Sequence, residues 1–240
     1  MSRPDQHSAV GFLAFYLIYV SWTGSWIMDQ YSVILIIFFS AFPDLDSVYF
    51  FFKSRGKVKL DDSFQHHYYS LTHFPIIYTP FIIVFIITLI LGFYPLYFLI
   101  PVVGLYVGHF LPDSIASGDG IMWGKIPFHR TQYARFMNLF SETTDGYHGR
   151  FWYARFQKTY ACKLENLAVG AAVIFIQIFQ IYLSYRYYRT AINLFYTGPI
   201  VFLLMSYYLG VEGHSEEWNV EPPRGRYSDY RVESVYVDGL

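Results

Sequence analysis

Charged residues are scarce in this chain of 240 residues. Lys, Arg, Asp and Glu make up 15% of the sequence, whereas soluble domains usually carry about a quarter. With a net charge of −1, the chain has no excess of the basic residues that a nucleic-acid binder needs to neutralise phosphates. Hydrophobic residues reach 54%, and Phe and Tyr number 24 each, which suits apolar spans and interfacial belts. The composition therefore favours a membrane protein and predicts no nucleic-acid partner.

Cysteine is nearly absent as well, because Cys162 is the only one. A single thiol excludes an intramolecular disulfide and a metal cluster built on cysteine. A cleavable signal peptide is also missing from the pattern. The first apolar run, 8–28, is too long for the core of a signal peptide and lacks a small-residue cleavage site. We interpret it as a first membrane span.

Long uncharged runs dominate the remaining sequence. Between His73 and His109 there is no charge, and one helix over this run would be ~52 Å long, whereas a membrane core is ~30 Å thick. Gly92 and Pro95 supply a break near its middle. We predict an all-α polytopic membrane protein of about six (four to six) transmembrane helices with a central helical hairpin. The predicted spans are 8–28, 30–52, 74–91, 96–111, 166–185 and 190–211.

The predicted organisation has four parts: a four-span core with the candidate site (1–116), a polar cytoplasmic-side region (117–165), two further membrane helices (166–211) and a polar tail (212–240). Six spans place 53–72 and 114–165 on one side, with eleven Lys and Arg between them. The positive-inside rule makes that side the cytoplasm or the matrix, with both termini there. The expected location is a bacterial inner membrane or an organelle inner membrane. A reentrant or interfacial final pair of helices fits nearly as well.

Histidines and aspartates gather at the cytoplasmic-side ends of these spans. His109 and Asp113 are four residues apart, which puts them on one face of a helix. A charge within a span costs roughly 2.5–3.5 kcal/mol, so it needs a partner or a role. A divalent cation bound by several of these residues would give the charged ones a partner and a role. Imidazole and carboxylate donors without thiolate suit Zn²⁺, Mn²⁺ or Fe²⁺. The residues that lie at this level are His7, Asp44, Asp46, His66, His67, His73, His109 and Asp113.

Simpler interpretations of the same residues stay open. Asp44 and Asp46 could cap a helix terminus or mark an early end of the second span. His109 and Asp113 could form a buried hydrogen-bonded pair without metal. His66 could be an ordinary loop histidine.

Four features resemble one family when they are taken together. They are a histidine before the first span (His7), Pro43-Asp44-Leu45-Asp46 in the second, a His-rich segment from His66 to Thr72-His73, and Gly108-His109 to Asp113 followed by Gly120, Trp123 and Pro127-Phe128. Their order and spacing resemble the YdjM-type membrane-bound metal-dependent hydrolases, also described as LexA-regulated inner-membrane proteins. The match covers 7–128. The chain has His66-His67 where that family usually has His-Arg, so a guanidinium suited to phosphate is missing.

The resemblance implies hydrolysis of a lipid-like ester or phosphoester of a membrane lipid at the cytoplasmic interface. The expected metal is Zn²⁺, with Mn²⁺ or Fe²⁺ as alternatives. The predicted ligands are Asp44, His73, His109, Asp113 and His7, and the predicted general base is Asp46 or His66.

The alternative function is a non-catalytic membrane subunit that keeps the hydrolase-like fold. Its partner surfaces would be 114–165 and 212–240. A transporter fits less well, because the carboxylates cluster at one face and no inverted repeat is visible.

Overall fold

Helices make up most of the described chain. The computed structural model describes residues 4–46, 70–116, 121–124, 126, 136–137, 160–183 and 185–186. The helices are α1 (Pro4–Thr23), α2 (Gln30–Ala41), α3 (Thr79–Ile90), α4 (Leu96–Val102), α5 (Leu111–Ala116) and α6 (Tyr160–Leu183). The described residues also include two antiparallel two-residue strands, β1 (Ile121–Met122) and β2 (Phe136–Met137). The predicted helical class is confirmed.

Irregular turns interrupt or extend several of these helices. A 3₁₀ turn, Phe42–Leu45, continues α2, and two more, Leu71–His73 and Pro75–Tyr78, precede α3. A π-helical segment, Val103–Phe110, joins α4 to α5, so that 96–116 runs as one helix. Pro101 lies just before that segment and has no N–H to donate, which favours a local change of winding. Wide turns of this kind are frequent at functional sites.

The predicted hairpin is present. α3 ends before Leu91, and Gly92 adopts a φ of 71°, a left-handed conformation that glycine reaches without a steric cost. The chain then reverses and α4 begins at Leu96. The reversal returns His109 to the end of the bundle that His73 occupies, and their ring centroids lie 5.2 Å apart.

The predicted count of spans is wrong for the described part of the chain. One helix there, Leu96–Ser114, is long and apolar enough to cross a membrane, whereas five of the six predicted spans fall wholly or partly in that part. Gln30–Leu45, Pro75–Ile90 and Gly170–Gln180 are apolar but have fewer than 18 residues. The uncharged run 74–91 is longer than α3, because the 3₁₀ turn Pro75–Tyr78 precedes that helix. α1 is 20 residues long, but its first turns carry polar residues that lower its hydropathy.

Several predictions fall outside the described residues. They concern the span 190–211, the tail 212–240, the segment with His66 and His67, and most of the polar region 117–165.

The core lies where α1, α2 and the helix 96–116 cross. Phe12, Phe15, Val33, Ile36 and Ile100 are buried together there. Small residues let the three backbones approach closely, as they do in membrane helix pairs. A Cβ on Gly108 would lie 2.9 Å from the Cα of Gly11. A Cβ on either of these two glycines would collide with Ser40. A Cβ on Gly104 would lie 2.8 Å from the Cβ of Phe39. This crossing brings the backbone carbonyls of Ser40 and Gly108 against histidines on neighbouring helices.

Candidate metal centre

Six polar residues meet at one end of the bundle and are buried. Histidines 7, 73 and 109 and Asp113 are 0% exposed, and Asp44 and Asp46 are 7% exposed. They come from the start of α1, the 3₁₀ turn after α2, the 3₁₀ turn before α3 and the later half of the helix 96–116. All five predicted metal ligands are therefore brought together, with one of the two predicted bases beside them: His7, Asp44, Asp46, His73, His109 and Asp113.

Backbone carbonyls fix the orientation of two of the imidazoles. The Nδ1 atom of His7 lies 3.0 Å from the carbonyl oxygen of Gly108, and the Nδ1 atom of His109 lies 2.9 Å from that of Ser40. A carbonyl can only accept, so each Nδ1 donates, and in the neutral ring the lone pair is then on Nε2. Both Nε2 atoms face the carboxylates. A histidine that donates its outer N–H to a carbonyl is the usual arrangement of a metal ligand.

The carboxylates face the imidazole Nε2 atoms at distances longer than the usual charge-assisted hydrogen bond. Asp44 places Oδ1 3.5 Å from Nε2 of His73 and Oδ2 3.8 Å from Nε2 of His7. Asp113 places Oδ1 3.4 Å from Nε2 of His7 and Oδ2 3.3 Å from Nε2 of His109. Direct charge-assisted N–H···O bonds are about 2.7–2.9 Å long. Nε2 of His7 and Oδ2 of Asp44 have no hydrogen-bond partner among the described residues.

These separations suit donors that share a cation. Two ligands bonded to a tetrahedral Zn²⁺ at ~2.0–2.1 Å lie ~3.3–3.4 Å from each other. The four distances between imidazole Nε2 and carboxylate oxygen range from 3.3 to 3.8 Å. Buried His/Asp groups that could hold a metal ion are thus present, and two overlapping sets of three have all their donor atoms within 4.8 Å: His7, Asp44 and His109; His73, His109 and Asp113.

Asp46 lies behind one of the histidines. Its Oδ2 atom is 3.2 Å from Nδ1 of His73, and the hydroxyl of Thr72 is 3.3 Å from the same nitrogen. In a metal site a carboxylate at this position orients the imidazole and raises its basicity. The structure therefore gives Asp46 a contact that suits positioning of His73, whereas we had named it with His66 as a candidate base.

The charge of the site is strongly negative. Burial by itself would lower the pKa of His73, but the neighbouring carboxylates of Asp44 and Asp46 outweigh burial and raise that pKa to about 10. The carboxylates thus favour a positive charge at this buried imidazole. A divalent cation would compensate the same charge.

Two tyrosines donate hydrogen bonds to the backbone of the two 3₁₀ turns before α3, the first of which carries His73. The sequence did not predict these contacts. The hydroxyl of Tyr78 donates to the carbonyl oxygen of Thr72 at 2.8 Å, and that of Tyr106 donates to the carbonyl oxygen of Pro75 at 2.8 Å. We had assigned the aromatic excess to lipid contact and packing. No sequence pattern separates these two tyrosines from the others, because their partners are backbone atoms.

A second contact that the sequence did not predict docks the segment after the site helix. Nε1 of Trp123 donates to Oγ of Ser114 at 2.7 Å, and that hydroxyl donates to the carbonyl oxygen of Phe110. Ser114 directly follows Asp113, so this contact covers the last turn of the site. The tryptophan belongs to the sequence pattern of the resemblance, but the pattern does not reveal its contact.

Comparisons with protein-family models, with curated proteins and with solved structures found no match.

Proposed function

We propose that this protein is a membrane-embedded metal-dependent hydrolase acting on a lipid-like ester or phosphoester. One observation carries the proposal. Three imidazole nitrogens and two carboxylates from four distant parts of the chain converge in a buried site at 3.3–3.8 Å. Isolated buried carboxylates are costly unless they are paired or bind a cation. A bound divalent ion would offset this cost. Membership in the YdjM-type family is part of the same proposal.

The residues of the site divide into ligands and supports. His7, His73, His109, Asp44 and Asp113 would hold Zn²⁺, or Mn²⁺ or Fe²⁺. A bound divalent ion lowers the pKa of water towards ~7 and polarises the scissile group. In the reaction the oxygen of water bonds to the acyl carbon or the phosphorus, the bond to the alcohol oxygen breaks, and the alcohol leaves with a proton.

The supports are the groups that contact the outer nitrogens of the imidazoles. Carbonyl oxygens of Gly108 and Ser40 fix His7 and His109, and Asp46 fixes His73. His66, the other proposed general base, lies outside the described residues, and the contact of Asp46 with His73 suits a support better than a base.

A membrane location is the second part of the proposal. The helix Leu96–Ser114 is long and apolar enough to span a bilayer. The preceding helix α3 leaves Ile83, Ile87 and Ile90 exposed, with Ile90 76% exposed. Soluble monomers rarely expose contiguous apolar surface of this kind. Lipid contact accounts for this surface, with the site near the cytoplasmic or matrix headgroups and the substrate a membrane lipid.

A non-catalytic metal-stabilised membrane subunit is the alternative, and complete burial favours it. The three imidazoles and Asp113 are 0% exposed, whereas a catalytic metal site needs a position that substrate can reach. A structural site is closed by comparison. In this case the cation would join α1, α2, the turn before α3 and the helix 96–116, and 114–165 and 212–240 would bind protein partners.

Lipid turnover separates the two functions. The full chain, purified in detergent and loaded with Zn²⁺ or Mn²⁺, would be mixed with phospholipid micelles, and released headgroup and fatty acid would be measured. We expect hydrolysis that EDTA and His109→Ala abolish and that Asp29→Asn, a change at the opposite end of the bundle, leaves intact. A metal-loaded protein that releases neither product contradicts the hydrolase and supports the subunit.

A further inference from the structure

Each ligand carboxylate divides its two oxygens between two different histidines. Asp44 faces His73 with Oδ1 and His7 with Oδ2. Asp113 faces His7 with Oδ1 and His109 with Oδ2. A carboxylate that binds one ion through one oxygen has no need of a second imidazole at its other oxygen. Because each of the two carboxylates faces two imidazoles, each is placed to bridge two metal ions.

The pairwise contacts between imidazole and carboxylate divide the donors into two sets that share both carboxylates. One set is Nε2 of His7 with Oδ2 of Asp44 and Oδ1 of Asp113. The other set is Nε2 of His73 and of His109 with the remaining oxygens of the same two aspartates. Each set supplies at least three N/O donors, and three protein ligands are the number typical of a catalytic zinc ion. Nε2 of His7 and Oδ2 of Asp44, which are both buried and have no hydrogen-bond partner among the described residues, belong to the first set.

The net charge of the site indicates the class of substrate. Asp44, Asp46 and Asp113 carry three negative charges beside three imidazoles that are neutral when they bind metal. One divalent ion would leave this buried site with a net negative charge, which repels an anionic substrate. Two divalent ions would leave it with a net positive charge of one, and a phosphodiester carries one negative charge to match it.

We propose that the site binds two divalent ions bridged by Asp44 and Asp113, and that its substrate is an anionic phosphoester and not a neutral acyl ester. The proposal rests on the metal-dependent function proposed above and specifies its stoichiometry and substrate class. Paired ions about 3.5–4 Å apart stabilise the attacking and leaving oxygens of a phosphoryl displacement. In this hydrolysis a bond forms between the water oxygen and phosphorus, the bond from phosphorus to the alcohol oxygen breaks, and a proton leaves with the alcohol.

Metal stoichiometry tests the proposal without an activity assay. The full chain in detergent would be stripped with chelator, loaded with Mn²⁺, desalted and analysed by mass spectrometry of the metal and by electron paramagnetic resonance. We expect two ions per chain and the signal of exchange-coupled Mn²⁺. One ion per chain with an uncoupled signal overturns the two-ion proposal and leaves the metal-dependent function standing. No bound metal overturns both.

Two matched substitutions locate the bridge. Asp44→Asn removes the charge of a bridging carboxylate, so we expect one ion or fewer per chain. Asp29→Asn removes the same charge at the other end of α2, where the carboxylate caps the helix, so we expect two ions per chain. Equal occupancy of two ions in both variants overturns the bridging role. The wild-type count stands even if a variant fails to fold.

Inorganic phosphate probes the substrate class. Added to the Mn²⁺-loaded protein, it is expected to change the coupled resonance signal at concentrations where neutral ethyl acetate has no effect. A signal that phosphate leaves unchanged overturns the choice of a phosphoester.

Discussion

Aspartates at the two ends of the bundle have opposite surroundings. Asp29 precedes α2, where Oδ1 accepts hydrogen bonds from the backbone N–H groups of Tyr31 and Ser32 and Oδ2 accepts one from the hydroxyl of Ser32. Asp44 lies beyond the other end of the same helix and faces the imidazoles of His73 and His7 at 3.5 and 3.8 Å. The carboxylate of Asp29 accepts hydrogen bonds from protein donors. The carboxylate of Asp44 is arranged among groups that bind cations.

This difference shows that a helix-terminal aspartate is defined by its neighbours and not by its position along the helix. A cap was one open interpretation of Asp44, and it is Asp29 that caps α2. The cap satisfies N–H groups that a helix start leaves without partners. At the other end, Asp44 faces the imidazoles of His7 and His73, and Asp46 faces that of His73. The comparison can be tested by changing each end separately.

The largest difference is expected between Asp44→Asn and Asp29→Asn. Loss of the Asp44 charge removes a proposed ligand, so Zn²⁺ affinity should fall by more than the ~10–100-fold typical of supporting residues. Asp29→Asn keeps the capping oxygen and should leave the affinity unchanged. Competition with a chelating dye measures both dissociation constants. Equal affinities would contradict the assignment of Asp44.

Metal removal should destabilise the site end of the bundle. A cation present at about 100 times its dissociation constant stabilises the folded protein by about 2.7 kcal/mol. We therefore expect the unfolding temperature to rise with Zn²⁺ concentration in the wild type. The His7→Ala/His109→Ala double variant should show no such rise. A Zn²⁺-dependent rise of the same size in both proteins would place the metal elsewhere.

The Asp46→Asn variant should weaken binding less than Asp44→Asn does. Asp46 contacts the outer nitrogen of His73, and loss of such a contact usually costs ~10–100-fold in metal affinity, or about 1.4–2.7 kcal/mol. The same dye competition measures the effect. A loss as large as that of Asp44→Asn would make Asp46 a ligand.

The Gly108→Ala variant should destabilise the bundle. The new methyl group would collide with Ser40 and lie 2.9 Å from the Cα of Gly11, and overpacking of this kind costs about 1–3 kcal/mol. Gly170→Ala is the control, because α6 has open space at that position and alanine favours a helix by up to about 1 kcal/mol. Chemical denaturation in detergent measures both. Similar stabilities would contradict the close crossing of α1 with the helix 96–116.

The smallest expected effect is that of Asp29→Ala. Removal of an N-cap side chain costs ~1 kcal/mol of stability, so the variant should unfold slightly earlier. Its metal affinity should equal that of the wild type. A loss of metal with this variant would mean that the two ends of the bundle are coupled.

The sequence predicted which histidines and aspartates gather better than it predicted their arrangement. The i, i+4 spacing of His109 and Asp113 and the uncharged hairpin between His73 and His109 predicted that these groups meet, because both features are local. The carbonyl partners of His7 and His109 were not predictable, since they depend on the crossing of helices that are distant in sequence. The contact of Asp46 with His73 was missed for the same reason. Within the described residues fewer helices than predicted are long and apolar enough to span a membrane, because the absence of charge does not reveal where a helix begins or ends.

X-ray absorption at the zinc edge tests the central claim most directly. The spectrum of the Zn²⁺-loaded full chain reports the elements that bind the ion and their distances. We expect a first shell of nitrogen and oxygen at ~2.0–2.1 Å with the outer-shell scattering of imidazoles, which His7→Ala/His109→Ala should greatly reduce. A sulfur shell at ~2.3 Å, which would indicate Cys162, or a spectrum without imidazole scattering would contradict the account.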